Sequence, residues 1–253
     1  MVNLNQAIRD LALSEGATDV GFADLTSLPA AVRKGFEHGI VIFMKVEAAI
    51  VAKIQDGPSK EYQDEYDRLN KKLNELDMKI FEFLSAEGYE SFPNTQANVL
   101  VDKKTHTSVL PHKTIATLAG IGWIGKSGLL VTRKYGSAIR LSTVLTNARM
   151  ELGFPVTKSQ CGTCTSCVEN CPAMALRGSL WDQTMGREEL VDVVACDTMI
   201  KKRGKKTRIE HAGCGLCMWS CPYTKAYLKR EMAALVMLPP MKKGPMLDHG
   251  VRN

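Results

Sequence analysis

The chain has 253 residues, an ordinary apolar fraction of 45% and a formal net charge of +6. This suits one large domain, or a domain of about 150 residues with a smaller one beside it. No stretch approaches about 18 apolar residues, and the N-terminus has neither a basic nor an apolar leader segment, so we expect neither a membrane-bound nor a secreted protein.

The first part of the chain alternates helical and strand patterns. Apolar residues at near-helical spacing predict a helix over residues 4–16. Residues 19–23 form a short strand candidate. The continuous apolar run at residues 39–44 predicts a buried central strand.

A long helix is predicted from about residue 60 to residue 87. Its apolar and aromatic side chains step by three and four residues and form one stripe. This stripe covers the sheet within the monomer, the interpretation we favour, or forms a coiled-coil seam in a homodimer. Its members are Tyr62, Tyr66, Leu69, Leu73, Leu76, Ile80 and Phe83.

The middle of the chain continues this mixed pattern. Residues 98–102 predict a short strand and residues 112–119 a helix. Two further strands are predicted over residues 129–132 and 138–146, and a turn at residues 134–137 joins them.

The glycine-rich segment Gly120–Ser127 matches both the P-loop and the dinucleotide-binding patterns. Both patterns work only where a strand precedes the loop and a helix follows it, because the phosphate binds at the helix N-terminus. Here a helical pattern precedes the glycines and a strand pattern follows them. The segment is therefore interpreted as a turn that brings the backbone close to a different large ligand.

All eight cysteines lie between residues 161 and 221. The first four have the C-x2-C-x2-C-x3-C-P spacing, in which three thiolates bind one [4Fe–4S] cluster and the fourth binds its neighbour. If the fourth cysteine of each half crosses over, no cysteine is left unused. One cluster is then held by Cys161, Cys164, Cys167 and Cys221, and the other by Cys171, Cys196, Cys214 and Cys217.

Other uses of these cysteines are less consistent with the pattern. A disulfide framework needs an oxidising compartment, and two zinc sites need paired C-x2-C units. Free or structural thiols are the remaining alternative. Because cluster thiolates require a reducing compartment, we expect a cytoplasmic protein working without oxygen.

A run of cations lies between Cys196 and Cys214, in a segment that we predict to be a loop. It is either a solvated loop or a binding face for phosphate, nucleic acid or an acidic redox partner. Aromatic residues do not interleave with it, so a platform for single-stranded nucleic acid is not indicated. The cations are Lys201, Lys202, Arg203, Lys205, Lys206 and Arg208.

The segment from Leu110 to Lys126, the Tyr135-Gly-Ser137 turn and the strand Leu141–Thr146, followed by the eight cysteines, resemble epoxyqueuosine reductases. The resemblance covers about residues 95–225. It implies an α+β fold, with a nitroreductase-like domain that binds base-off cobalamin over residues 1–154. A bacterial-ferredoxin-like domain with two [4Fe–4S] clusters would follow over residues 155–238, and then a tail over residues 239–253.

The resemblance also implies the residues that bind the corrinoid. They belong to the glycine-rich turn, the strand after it and the next turn: Trp123, Ile124, Gly125, Lys126, Leu130, Val131, Thr132, Gly136 and Ser137.

The family's catalytic aspartate corresponds, by spacing from Lys113, to His106 in this chain. A histidine can donate a proton near neutral pH, so His106 is the first candidate for the catalytic acid. Asp102, Lys104 and Tyr135 are the other candidates. Because members of the family continue into further C-terminal helices, we do not expect tRNA to be a partner here.

Together these patterns predict an oxidoreductase in which two [4Fe–4S] clusters pass electrons to a cobalamin that reduces an unidentified substrate. A ferredoxin or flavodoxin would supply the electrons. The alternative is an electron-transfer protein that reduces a partner, such as a corrinoid protein, without turning over a small molecule.

Overall fold

The computed structural model describes residues 3–57, 59–95, 98–99, 101–102, 105–207 and 213–237. Lys104, Arg208 and the predicted tail lie outside the described residues. The predicted helix and strands of the first part of the chain are confirmed. They are α1 (Leu4–Ser14), β1 (Asp19–Asp24), β2 (His38–Lys45), the short α2 (Ala48–Ala52), α3 (Lys60–Ala86) and β3 (Ser91–Pro93).

The predicted helix and strands of the middle are present, although four of the strands there are only two residues long. The elements are β4 (Val101–Asp102), β5 (Thr107–Ser108), α4 (His112–Leu118), β6 (Trp123–Ile124), β7 (Leu130–Val131) and β8 (Ile139–Thr146). The C-terminal part contains α5 (Ser166–Glu169), α6 (Val193–Thr207), α7 (Leu216–Trp219) and α8 (Pro222–Met237).

Four strands form an antiparallel sheet in the order β1–β2–β8–β3. The six central residues of β2 are buried because α3 covers one face of the sheet and α4 the other. β3 pairs only with the end of β8, opposite residues 144–146. Among the described residues, β3 does not extend along the first half of β8.

The stripe on α3 packs against the sheet inside the chain, which confirms the interpretation we favoured. Ser59 caps the helix by accepting a hydrogen bond from the Tyr62 amide. Burying five aliphatic side chains here contributes on the order of 10 kcal/mol. These are Leu69, Leu73, Leu76, Ile80 and Leu84, whereas Phe83 is only half-buried.

The glycine-rich segment connects α4 to the β6–β7 hairpin, and no helix follows it before β8. The predicted order, with a helix before the glycines and a strand after them, is therefore confirmed. A side chain at Gly122 is excluded by close packing, because a Cβ atom there would lie 2.2 Å from the Val131 carbonyl oxygen. The glycines allow two stretches of backbone to touch.

The basic run predicted to be a loop is instead part of helix α6, so that prediction is wrong. Asp192 stabilises the start of α6 by accepting a hydrogen bond from the Ala195 amide. Asp197 pairs with Lys201 one turn later, at 2.6 Å. A capping residue and good helix formers thus outweigh the repulsion between cations.

The C-terminal helix α8 packs back onto the first part of the chain. The Tyr227 hydroxyl donates a hydrogen bond to the Val46 carbonyl oxygen at 2.8 Å, and Lys45 pairs with Glu231 at 2.7 Å. None of the described helices is both long enough and apolar enough to span a bilayer.

Candidate functional site

The structure gathers Cys161, Cys164, Cys167 and Cys221, which we call the first thiol group, around one small cavity. Cys217 also borders this cavity. Cys161 and Cys164 lie in the loop that leads into α5, Cys167 lies within α5, and Cys221 immediately precedes α8. The remaining lining residues are Gly125, Lys126, Ser127, Val131, Pro222 and Tyr223.

The other four cysteines, Cys171, Cys196, Cys214 and Cys217, form the second thiol group. Burial raises the pKa of Cys196, and the nearby thiols of Cys171 and Cys214 raise it further. Burial also raises the pKa of Cys217 to about 12, with Cys196 and Cys214 adding to the effect. The structure thus brings together the cysteines that the spacing groups.

The crowded thiols suit a positively charged inorganic centre. Burial, followed by the neighbouring Cys161 and Cys221, raises the pKa of Cys167 to about 11. Thiolates packed this closely need a compensating cationic centre, and the iron of a cluster provides one. Within the described ranges, no three His, Cys, Asp or Glu side chains are arranged to hold a single metal ion.

Lys126 lies against the first thiol group. Its side chain is only 6% exposed, and its ammonium donates a hydrogen bond to the Cys164 carbonyl oxygen at 2.9 Å. The resemblance implied that Lys126 faces a corrinoid. The structure instead directs its charge at the loop that carries Cys161 and Cys164.

The other end of the glycine-rich turn borders a large cleft of about 860 Å³. Gly120, Gly122 and Trp123 line the cleft, together with polar residues of α1 and of the segment after β7. The Trp123 indole Nε1 is buried and has no hydrogen-bond partner in the described structure. The same turn therefore separates the cleft from the first thiol group.

An aromatic pair crosses this wall. The rings of Trp123 and Tyr223 meet edge to face with centroids 5.0 Å apart. Trp123 lines the cleft, and Tyr223 lines the cavity of the first thiol group. Two side chains in edge-to-face contact thus connect the cleft with the cavity of the first thiol group.

The other residues that the resemblance assigned to the corrinoid are buried but serve different contacts. Thr132 lines the cleft, whereas Val131 borders the thiol cavity. Gly136 and Ser137 contact α8: a Cβ atom on Gly136 would lie 2.3 Å from the Thr224 amide nitrogen, and the Ser137 amide donates to the Thr224 hydroxyl at 3.2 Å. Leu130 and Ile124 pair with each other across the β6–β7 hairpin.

His106 lies on the exposed turn between β4 and β5, outside both the cleft and the thiol cavity. Its backbone has a φ of 53°, and its carbonyl oxygen accepts a hydrogen bond from Arg187. Asp102 is exposed on the same hairpin. Of the candidate acids, Tyr135 lines the cleft.

Sequence reasoning missed a group of buried titratable residues between α3, α4 and β8. Burial raises the pKa of Asp77 to about 8, partly offset by a hydrogen bond from Ser142. Burial, followed by the charge of Arg140, lowers the pKa of His112 to about 4. The position of Asp77 within the α3 stripe, directly after Leu76, was the signal that could have identified it.

Comparison with known proteins connects this geometry to a family. Residues 160–224 match the 4Fe-4S double cluster binding domain. The epoxyqueuosine reductase of Lactococcus garvieae is 33% identical over 169 residues, which is 64% of this chain and 42% of that protein. The enzyme of the same name from a Synechocystis species is 29% identical over 63% of this chain and 51% of that protein. The chain spans about half the length of the curated relatives it matches.

The predicted resemblance to epoxyqueuosine reductases is confirmed. Solved structures support it at the level of the fold. An epoxyqueuosine reductase crystallised with a tRNA-Tyr stem loop covers 88% of this chain and 66% of its own, with a TM-score of 0.59 at 21% identity. A catabolic reductive dehalogenase in complex with 3-bromo-4-hydroxybenzoic acid covers 87% of this chain and 31% of its own, with a TM-score of 0.66 at 18% identity. The predicted α+β fold class, with a double-cluster domain after a sheet domain, is likewise confirmed.

One prediction is overturned by these findings. We did not expect tRNA to be a partner, yet the chain matches an epoxyqueuosine reductase solved with a tRNA stem loop over most of its length. The expectation came from the family's further C-terminal helices. It is wrong because a difference at the end of the chain says nothing about the surface that the matched part presents.

Proposed function

We propose that this protein is an iron–sulfur oxidoreductase in which two [4Fe–4S] clusters pass electrons to a corrinoid bound in the cleft. One observation carries the proposal: the glycine-rich turn forms a wall of the first thiol-group cavity and also a wall of the cleft. An electron leaving the first thiol group therefore reaches the cleft by crossing a single turn.

The cluster assignment keeps the predicted ligands. The first thiol group holds one cluster and the second thiol group holds the other. The match to a double-cluster binding domain spans all eight cysteines. The crowding of the thiols supports the same assignment, because raised thiol pKa values disfavour bare thiolates without a metal.

The residues of the cleft suit a large polar ligand. The buried Trp123 N–H lacks an acceptor, and such a group is costly unless a ligand supplies one. Arg133 and Lys134 are exposed at the cleft and can bind anionic groups. A reductive dehalogenase described as acting by B12-dependent dehalogenation covers 90% of this chain and 34% of its own, with a TM-score of 0.58 at 16% identity. When bound, a corrinoid supplies a metal centre that takes up single electrons and reduces an organic bond.

The chain's own residues would orient the ligand and supply the proton. Trp123 and Thr132 contact the ligand from the wall of the turn. Tyr135 lines the cleft and is 8% exposed, so it replaces His106 as our candidate proton donor. A proton donor must lie within hydrogen-bonding reach of the reacting group, and the exposed turn at His106 does not border the cleft.

The substrate we propose is an epoxide carried on a modified nucleoside of tRNA, after the relatives' names. Lys201, Lys202 and Lys205 are exposed on α6, where they favour a polyanion. We further propose a cytoplasmic, oxygen-free setting, a ferredoxin or flavodoxin as electron donor, and the domain division at residue 154.

The test begins with anaerobic reconstitution of the clusters, which should give about eight iron atoms per chain. Cob(II)alamin is then added and its EPR spectrum recorded. We expect a stoichiometric base-off signal. Gln6→Trp should abolish it, because Gln6 is an exposed residue of α1 that lines the cleft, where a bulky ring blocks entry.

Asp10→Trp is the matched control, since Asp10 is exposed one turn further along α1 and does not line the cleft. This variant should keep the base-off signal. A base-on spectrum identical to free cobalamin, with the full iron content, would contradict the corrinoid proposal. The chain would then be an electron carrier for a partner, which the exposed cations of α6 also suit.

A further inference from the structure

A second cavity, of about 170 Å³, lies beside the first half of β8. It is separate from the cleft and from the first thiol-group cavity, with which it shares no residue. A water molecule occupies about 30 Å³ of liquid volume, so this space suits a ligand of only a few heavy atoms. Its lining is Asn70, Leu73, Asn74, Val99, His112, Arg140, Leu141 and Ser142.

Arg140 brings a fixed positive charge to this cavity. Its Nε and Nη2 atoms donate hydrogen bonds to the Asn70 side-chain oxygen at 3.0 and 2.9 Å. Its guanidinium lies over the Tyr66 ring, 3.9 Å from the centroid. Among the side chains that the structure describes, no carboxylate lies within ion-pair distance of Arg140. The guanidinium is thus oriented by a neutral amide and a ring, and its charge is not neutralised.

His112 adds a neutral donor. Its Nδ1 lies 2.9 Å from the Thr143 hydroxyl, which also accepts a hydrogen bond from the Asn94 amide at 3.2 Å. In the tautomer that lets the Thr143 hydroxyl donate its proton, Nδ1 is the acceptor. The single proton of the neutral imidazole is then on Nε2, where it can be donated to a ligand.

We infer that this cavity binds a small anion, a carboxylate or an inorganic oxyanion, through the Arg140 guanidinium and the His112 Nε2–H. Because Nε and Nη2 already donate to Asn70, the fork available to such an anion is the other edge of the guanidinium, formed by Nη1 and the second Nη2 proton. The lining offers no ionised carboxylate for a metal cation. The Asn70 amide nitrogen adds a further donor to the lining, whereas the Ser142 hydroxyl already donates its proton to Asp77.

Arg140 and the second thiol group both act on the buried Tyr62. Burial raises the pKa of Tyr62 to about 12, Arg140 lowers it, and Cys217 and Cys214 raise it. An anion on Arg140 would thus lie within electrostatic reach of these cysteines. The source of the anion is either a free ion or a carboxylate group of a larger molecule.

Binding can be measured by isothermal titration of the cluster-loaded protein with sulfate, phosphate and acetate, in a buffer without other oxyanions. We expect saturable binding at one site per chain. Arg140→Gln should weaken it at least tenfold. Lys71→Gln removes an exposed cation from the same helix as Asn70 and should leave the affinity unchanged. Tighter binding of acetate than of sulfate and phosphate would indicate a carboxylate ligand, and the reverse a free oxyanion.

Arg140→Lys keeps the charge but loses the fork, so its affinity should fall between those of the wild type and Arg140→Gln. This variant also keeps the test decisive if Arg140→Gln fails to fold. Equal affinity in Arg140→Lys and Lys71→Gln, or no saturable binding to the wild type, would overturn the inference. Because iron content and the cobalamin spectrum are recorded on the same samples, failure here is distinct from failure of the proposed function.

Discussion

The two sides of the molecule differ in the charge state of their buried groups. On the cleft side, the first thiol group meets a glycine-rich turn and the ammonium of Lys126, which already has a carbonyl partner. On the β8 side, the second thiol group has Tyr62 as its neighbour, and the buried Asp77 and His112 lie further along the sheet. The cleft side is built for close backbone approach, whereas the β8 side holds groups that burial keeps neutral. In the proposed function, electrons leave on the cleft side.

The largest effect that tests this division is the loss of one cluster. Cys167→Ala should remove the first cluster and Cys217→Ala the second, so that each variant retains about half of the iron. Anaerobic iron and sulfide analysis measures this directly. Only Cys167→Ala should block electron transfer to the cleft completely when the protein is reduced in bulk. Full iron content in either variant would show that the two thiol groups are assigned wrongly.

Asp77 should dominate the pH dependence of stability on the β8 side. Burial raises its pKa from 3.8 to about 8, so the folded protein keeps a proton that the unfolded chain loses near pH 4. Stability therefore falls as pH rises between these values, by about 1.4 kcal/mol per pH unit and by on the order of 5 kcal/mol in total. Asp77→Asn should remove this slope and be the more stable protein at pH 8 in urea unfolding.

His112 has the opposite sign and is the internal control. Burial lowers its pKa from 6.5 to about 4, so stability from this group is present above pH 6.5 and is lost as pH falls towards 4. The two slopes oppose each other below pH 6.5, and the wild-type curve should be nearly flat there and fall between pH 6.5 and 8. In His112→Gln the fall should begin near pH 4. An unchanged curve would show that His112 is not buried as described.

The fold was predictable wherever periodicity reports burial. The apolar run of β2 and the stripe of α3 each predict a buried face, and the sheet uses both. The basic part of α6 was not predicted, because a run of cations was interpreted by charge alone. The capping Asp192 and the pairing Asp197 lie upstream of that run and were not considered.

The site was predictable only in part, because position along the chain does not give direction in space. Cysteine spacing predicts the two thiol groups, and the structure places Cys161, Cys164, Cys167 and Cys221 of the first group around one cavity. The same reasoning could not show that Lys126 faces the thiols rather than the cleft. Nor could it show that the β4–β5 turn exposes His106. Arg140 and His112 meet only because β8 runs beside the start of α4, a long-range contact that no local pattern records.

Lys126 should make the reduction potential of the first cluster higher than it would be without this charge, and leave that of the second unchanged. Its buried ammonium, close to the first thiol group only, favours the more negative, reduced state of that cluster. Lys126→Met should lower that potential by about 50–100 mV, since 1.4 kcal/mol corresponds to about 59 mV for one electron. The second cluster should not change, which an EPR-monitored redox titration resolves. Equal shifts in both clusters would mean that the ammonium acts through the fold rather than by proximity.

The smallest effect concerns the aromatic pair that crosses the wall. Trp123→Phe keeps an apolar ring against Tyr223 but removes the indole N–H that lacks a partner. If that N–H serves a ligand in the cleft, cobalamin affinity should fall by about fivefold to tenfold, the value of one hydrogen bond of about 1 kcal/mol. The reduction rate at saturating cobalamin should change little, because the ring contact persists.

Tyr223→Phe is the matched control, since it alters the ring on the thiol side and leaves the N–H in place. Tighter binding in Trp123→Phe would mean that the indole N–H lacks an acceptor in the corrinoid-bound protein as well. The corrinoid would then contact the turn elsewhere.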